Sequence, residues 1–228
     1  DRAAAAMPTL EVACVDVADW AAVDAWVASI PPVDVLINNA GVAGPIGGIE
    51  ANDPEEWARC FAVNVHGPFH LIRAVTPGMR ARRDGSIINI STASTVTGLP
   101  GRSAYVASKW AVEGFSESLQ YELEPFNIRV KIIEPGPIKT DFYDRSQDLT
   151  RKEGLTAYDR LIEKALPNLQ KAGAEAPDGR VVAETIYAAV TDDSRRLRYG
   201  VNTKGILAAR RLLPDNLFFR LVKSVILK

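Results

Sequence analysis

Short apolar runs alternate with longer stretches of helical spacing along most of the chain. Residues 10–17 (LEVACVDV) form a mostly apolar, valine-containing run that predicts a strand. Residues 18–29, flanked by aspartates and apolar at helical spacing, predict a helix. The run 33–37 (VDVLI) predicts a buried strand that leads into Asn38, Asn39, Ala40 and Gly41, small polar and glycine residues suited to a tight loop. Asp53-Pro54 reads as an N-cap followed by proline in the first helical position, and it opens a long helical stretch, 55–82, that stops at Arg83-Asp84-Gly85. Residues 86–90 (SIINI) predict the next strand, with the hydroxyl-rich segment 91–97 beyond it. Residues 103–124 form a strongly amphipathic helix stopped by Pro125, and 128–133 (IRVKII) a strand that ends at Pro135-Gly136. Helices at 157–170 and 179–191 and a last strand near 197–201 complete the pattern.

Strands separated by helices of this length pair in parallel through right-handed crossovers, which predicts an α/β fold with a doubly wound sheet covered on both faces, in three layers. Ligands of such sheets bind beyond the carboxyl ends of the strands. The polar clusters at 38–41, 91–97 and 135–140 all follow predicted strand ends, so they converge on one edge.

Composition narrows the function classes. With 228 residues, 47% hydrophobic and 24% charged, the chain suits one domain with a sizeable core. Its 27 basic and 28 acidic residues give a net charge of −1, which argues against nucleic acid as a partner. Cys14 and Cys60 sit among apolar neighbours and read as buried thiols in a reducing compartment, too few for a metal site. No apolar run approaches the ~20 residues of a membrane span and no signal peptide opens the chain, so a soluble cytoplasmic protein is expected. His66 and His70, four apart on one helix, have no third ligand nearby and read as structural. Trp20, Trp26, Trp57 and Trp110 read as packing or interface residues, and the Arg80-Ala81-Arg82-Arg83 cluster complements a helix C-terminus.

Tyr105 and Lys109 lie four apart on the predicted helix, so they share one face. A neighbouring ammonium favours the phenolate and lowers the phenol pKa, which lets Tyr105 exchange a proton with an alcohol or carbonyl oxygen. Such a pair alone is a weak signal. Thr92, thirteen residues earlier and just past a strand end, adds a hydroxyl that could hold the substrate oxygen; Ser91 would point the other way, and Ser94 is a further substitute. Asn64, in mid-helix, reads from its residue type as a backbone-bonding side chain. Pro135-Gly136-Pro137 would end a strand abruptly and leave backbone and the Thr140 hydroxyl facing a ligand.

With these motifs in order, the sequence resembles the short-chain dehydrogenase/reductase family. The resemblance rests on Asn38-Asn39-Ala40-Gly41, Asn64, Ser91-Thr92, Tyr105-Val106-Ala107-Ser108-Lys109 and Pro135-Gly136, and it spans 10–140. Within the family, 111–118 (AVEGFSES) and 134–142 (EPGPIKTDF) look most like retinol- or hydroxysteroid-type members and their bacterial relatives. The resemblance implies a Rossmann-type oxidoreductase that uses NAD or NADP on an alcohol, ketone or aldehyde. Tyr105 would exchange the proton, and Lys109 would lower its pKa and bind the nicotinamide ribose. Asn64 would help hold a water on the proton path, and Thr92 would hold the substrate oxygen. Asn38, Asn39, Ala40 and Gly41 would line the cofactor beside Pro135 and Gly136. Asp16 and Val17 would touch its adenine end, and Ile138 and Thr140 the carboxamide. A homodimer or homotetramer through two long central helices is implied as well.

Two departures stand out. Thr92 occupies the family's usual serine position, where its methyl narrows the site. No Gly-x-x-x-Gly-x-Gly occurs in the chain, which opens at Asp1, and 1–9 reads as the tail of a loop or helix. The whole of 1–228 is therefore expected to be one incomplete Rossmann-type domain, preceded in nature by about 30 to 50 residues, the size of a strand-helix-strand unit. Without that unit, strands 10–17 and 33–37 would lack partners and cofactor binding would be weak or absent. A non-catalytic binding or scaffold member is the first rival reading. A family-related epimerase or dehydratase is the second, although such relatives need a longer substrate domain.

Two segments remain. Residues 141–180, with Phe142, Tyr143, Leu149, Leu155, Tyr158, Leu161, Ile162 and Leu166 among many charges, read as an apolar lid, which points to a lipophilic alcohol or ketone. Residues 205–228 (GILAARRLLPDNLFFRLVKSVILK) are basic and amphipathic around Pro214; a cover for the substrate pocket or a subunit contact explains them, with a membrane surface as the alternative.

Overall fold

Aspartates open the first two helices in the computed structural model, which describes residues 10–140, 142, 148–150, 152–203 and 205–227. Tyr143 of the lid segment and the stretch 1–9 lie outside the described residues. Asp19 accepts hydrogen bonds from Ala21 N and Ala22 N and starts α1 (Trp20–Ser29), which leads to β1 (Val35–Asn38) and the short β2 (Pro45–Ile46). Asp53 accepts from Glu55 N and, with Pro54, starts α2 (Pro54–Phe61). A π-helical turn (Ala62–His66) joins α2 to α3 (Gly67–Arg82), so the predicted 55–82 helix exists as one rod with a widened turn at Asn64. Arg83, left-handed at φ 54°, ends it.

Then follow β3 (Gly85–Ile90), the one-turn α4 (Ser94–Thr97) and α5 (Ser103–Leu123). β4 (Ile128–Pro135) and β5 (Asp148–Leu149) precede α6 (Asp159–Ala174) and α7 (Arg180–Thr191). The chain closes on β6 (Arg198–Val201), α8 (Ile206–Leu212) and α9 (Asp215–Ile226).

The main sheet is parallel, in the order β1-β3-β4-β6, with Ile87 set between Leu36 and Val130. Side chains alternate across it. Ile87, Ile128 and Val130 pack with Ile72, Val75 and Met79 of α3 and Leu119 and Leu123 of α5 on one face. Ile88, Ile133, Tyr199 and Val201 pack with α7, including Ala189, on the other. Three layers result, as the alternation implies, and β3 is buried on both faces, which lets Ile87 and Ile88 follow one another without a polar residue between them, while the buried Asn89 is met by Asn38 and Ser116.

Two features depart from expectation. Residues 10–16 form no strand: they are irregular and mostly exposed, and Cys14 among them is an exposed thiol, not the buried one its apolar neighbours suggested. A parallel strand is held by ladder bonds to neighbours and by two covered faces, and among the described residues this run has neither. β1 lies at the sheet edge, with Val35 and Ile37 exposed. The second departure is an added two-stranded sheet, β2 with β5, where Thr150 N donates to the Ile46 carbonyl (3.0 Å) and ties the lid segment to the loop after β1.

Candidate active site

α5 supplies the centre of the site. Tyr105, Ser108, Lys109, Val112 and Glu113 fall on its buried face. The Lys109 Nζ donates to the Ile90 carbonyl at the end of β3 (2.8 Å) and lies 6.0 Å from the Tyr105 ring centroid. The amine is only 6% exposed. Burial lowers its pKa to about 8, although the nearby Cys60 and Glu113 pull it upward. Burial likewise pushes the Cys60 thiol up, offset in part by Ser108 and Lys109.

Asn64 approaches the same point from the π-helical turn, which rotates its side chain inward to 1% exposure. Its Oδ1 accepts from Val42 N (2.8 Å), while Nδ2 donates to the Val42 carbonyl (2.9 Å) and to Ser108 Oγ (2.9 Å). Ser108 in turn donates to the Tyr105 carbonyl (2.8 Å), and Asn64 Nδ2 lies 3.4 Å from Cys60 Sγ. The backbone-bonding reading of Asn64 thus has named partners: it clamps the loop after β1 onto α5. Gly41 completes that loop. A Cβ there would sit 3.4 Å from Asn64 Oδ1 and 3.6 Å from Lys109 Nζ, so the missing side chain keeps the approach to the amine open.

The remaining candidates flank this centre. Asn38 is buried and donates to Asn89 Oδ1 (2.8 Å), while its own Oδ1 is buried without a partner among the described residues; Asn39 and Ala40 are exposed. β3–β4 pairing continues past Ile90, because Ser91 N donates to the Ile133 carbonyl and Ala93 N to that of Pro135. Thr92, between them, has its Oγ1 3.3 Å from the Pro135 carbonyl, to which it donates, and accepts from Ser94 N at 3.2 Å. Ser91 Oγ is buried without a partner among the described residues. Gly136 follows β4 where a Cβ would stand 2.3 Å from the Asn202 carbonyl oxygen, a close approach that glycine alone permits. The Ile138 side chain belongs to the apolar cluster against α7, so only its backbone is left to meet a ligand; Thr140 is exposed.

Val17 is held by α3 rather than by the Tyr105 centre, and the exposed Asp16 accepts from Ala18 N (2.9 Å) in the turn before α1. Val17 packs on Gly67, and its carbonyl is 3.0 Å from His70 Nδ1. Sequence reading missed Cys60 and Ser108 as partners of Asn64. Their signal was positional: Cys60 precedes Asn64 by one helical turn, and Ser108 adjoins Lys109.

A cavity of about 260 Å³ lies between the β2–β5 pair and α6, lined by Ile46, Leu149, Leu155, Ile162 and Leu166 together with Tyr158, Lys152, Asp159 and Glu163; Tyr105 and Lys109 do not line it. Gly101, one turn before Tyr105, meets its wall: Gly47 N donates to the Gly101 carbonyl (3.0 Å), and a Cβ at Gly101 would stand 2.7 Å from Ile162. Phe142 lies against Tyr105, with ring centroids 5.7 Å apart.

Comparisons with known proteins agree with this architecture. A family model described as short chain dehydrogenase matches residues 2–150. The uncharacterized oxidoreductase YusZ of Bacillus subtilis is 38% identical over 205 residues, covering 87% of this chain and 72% of that protein. A solved short-chain dehydrogenase from Streptomyces avermitilis superposes with a TM-score of 0.81 at 31% identity, covering 98% of this chain and 82% of its own. A short chain dehydrogenase/reductase from Burkholderia phymatum, solved in complex with NAD, gives 0.76 at 26% identity, covering 95% and 79%.

Proposed function

The chain belongs to the short-chain dehydrogenase family, and we propose that it moves a hydride between NAD or NADP and an apolar alcohol or its carbonyl form, with Tyr105 exchanging the proton. The observation that carries the reading is the buried Lys109 amine, fixed on the Ile90 carbonyl within 6.0 Å of the Tyr105 ring, with the unobstructed Gly41 beside it. The residues present fit the nicotinamide end of a dinucleotide. Gly41 leaves the room a side chain would fill, and Asn38 Oδ1 is a buried acceptor with no partner among the described residues. When bound, that group supplies or accepts the hydride.

The chain's own residues do the rest. In reduction, the Tyr105 phenol gives its proton to the carbonyl oxygen; in oxidation, its phenolate takes the proton from the alcohol. Lys109 carries its charge below about pH 8, and that charge favours the phenolate. Its further N–H groups would hold the ribose hydroxyls. Thr92 would orient the substrate oxygen, a hydrogen bond its hydroxyl makes as well as serine's. Asn64 fixes the Gly41 loop against Lys109, and a water beside it would pass the proton onward. Asn38, Asn39, Ala40, Pro135 and Gly136 would line the cofactor, with the Ile138 backbone and Thr140 at its carboxamide and Asp16 and Val17 at its adenine end. The apolar cavity against α6 supports a lipophilic substrate.

Tyr105→Phe tests the reading. With NAD or NADP and a panel of apolar secondary and primary alcohols, turnover should fall about 10²- to 10⁴-fold, the usual share of general acid–base catalysis, while cofactor binding by nicotinamide fluorescence is retained. Unchanged turnover would refute the role of Tyr105. Absence of saturable cofactor binding in a chain that carries the glycine-rich unit would favour a binding or scaffold protein instead.

A further inference from the structure

The C-terminal helix α9 is amphipathic over a wider arc than the protein covers. Phe218, Val222 and Ile226 form one stripe; Phe218 and Ile226 are buried, and Asn168 of α6 donates to the Ile226 carbonyl (2.9 Å). α9 therefore does pack on the lid helix, as a cover would. Phe219, on the far side, is met by the Arg210 guanidinium 5.8 Å from its centroid. Leu217, Leu221 and Val225, at i, i+4 and i+8, form a second apolar stripe that faces outward, with exposures of 46, 41 and 60%. At the end of α8, Leu212 is 81% exposed. Arg220 and Ser224 border the outer stripe on its polar side and Lys223 lies beyond them; neither Arg220 nor Lys223 has an ion-pair partner among the described residues.

Charge identifies what covers this face. Residues 205–228 hold five cations against one acid, Asp215, in a chain whose net charge is −1. A second copy of the same segment would bring little to neutralise these cations, because its one acid, Asp215, is already paired with Arg210. An anionic lipid surface satisfies both halves of the pattern, because leucine and valine enter the acyl boundary while flanking Arg and Lys meet the headgroups. We propose that α8 and α9 seat the protein on an anionic bilayer through Leu212, Leu217, Leu221 and Val225, with Arg220 and Lys223 at the headgroups. The seat is interfacial: no described helix is long and apolar enough to cross a membrane. It stands independently of the catalytic reading.

Flotation of the full chain with vesicles tests it, using phosphatidylcholine alone or with phosphatidylserine. The protein should float with the phosphatidylserine vesicles and stay behind with phosphatidylcholine alone. Arg220→Gln with Lys223→Gln should weaken binding about 30-fold, two cations near an anionic surface at ~1 kcal/mol each. Leu217→Gln with Leu221→Gln and Val225→Gln should abolish flotation with thermal unfolding unchanged, since all three positions are exposed. Should the triple variant misfold, the charge pair and a salt series decide alone. The proposal fails if the unmodified chain does not float, if it floats equally on both vesicles, or if the charge pair binds like the parent. It fails too if sedimentation shows a dimer that the triple variant abolishes without any vesicle binding, for then the face is a contact between copies.

Discussion

Lys109→Met should make the protein more stable at neutral pH while ending its chemistry. Methionine preserves much of the lysine stem and removes the charge. The amine titrates at about 8 in the fold against an ordinary 10.5, a depression that corresponds to about 3 kcal/mol at ~1.4 kcal/mol per pK unit. Below pH 8 both the folded and the unfolded chain hold the proton, and the fold bears the full cost of burying it. Between 8 and 10.5 the unfolded chain binds more protons than the native one, so that cost fades as pH rises; above 10.5 it is gone. Against this stands the loss of the hydrogen bond to the Ile90 carbonyl, about 2 kcal/mol for a buried acceptor left unpaired. The variant should then be about 1 kcal/mol more stable than the parent at pH 7 and about 2 kcal/mol less stable at pH 10.5.

The measurement is urea unfolding of both proteins across this range, supported by thermal midpoints whose difference should swing by roughly 6 to 12 °C for a chain of this size. A stability difference that stays constant with pH would show that Lys109 is not desolvated and would remove the electrostatic basis of the site. A buried charge kept at a cost to stability is the expected trade where a residue serves chemistry rather than folding.

Two further substitutions separate holding the loop from using it. Asn64→Ala strands Val42 N and the Val42 carbonyl, each worth about 1 to 3 kcal/mol when left unpaired, so urea unfolding should show a loss of about 3 kcal/mol; a loss under about 0.5 kcal/mol would mean the clamp does not hold the loop. Gly41→Ala places its Cβ in ordinary contact, 3.4 Å from Asn64 Oδ1 and 3.6 Å from Lys109 Nζ, at a φ that L residues adopt, so stability should change by less than about 1 kcal/mol. Nicotinamide fluorescence should nevertheless show dinucleotide binding at least ~10-fold weaker, one displaced contact at ~1.4 kcal/mol, and unaltered binding would place the ligand elsewhere.

Much of this was legible in one dimension. Patterns of period two and 3.6 need only neighbours along the chain, so the α/β alternation, the helix start at Asp53, and the pairing of Tyr105 with Lys109 on one face followed from sequence. Tertiary structure decided whatever depends on partners distant in the chain. The run 10–17 has the composition of a strand, yet residues 10–16 have no neighbour among the described residues to complete a ladder, while the two-residue β2 becomes a strand only because Asp148–Leu149 arrives beside it. The widened turn at Asn64, its bonds to Val42 and Ser108, and the two stripes of α9, one covered and one bare, were likewise beyond sequence. Propensity and periodicity are properties of a segment, whereas desolvation and the satisfaction of buried polar groups are properties of the space that several segments enclose.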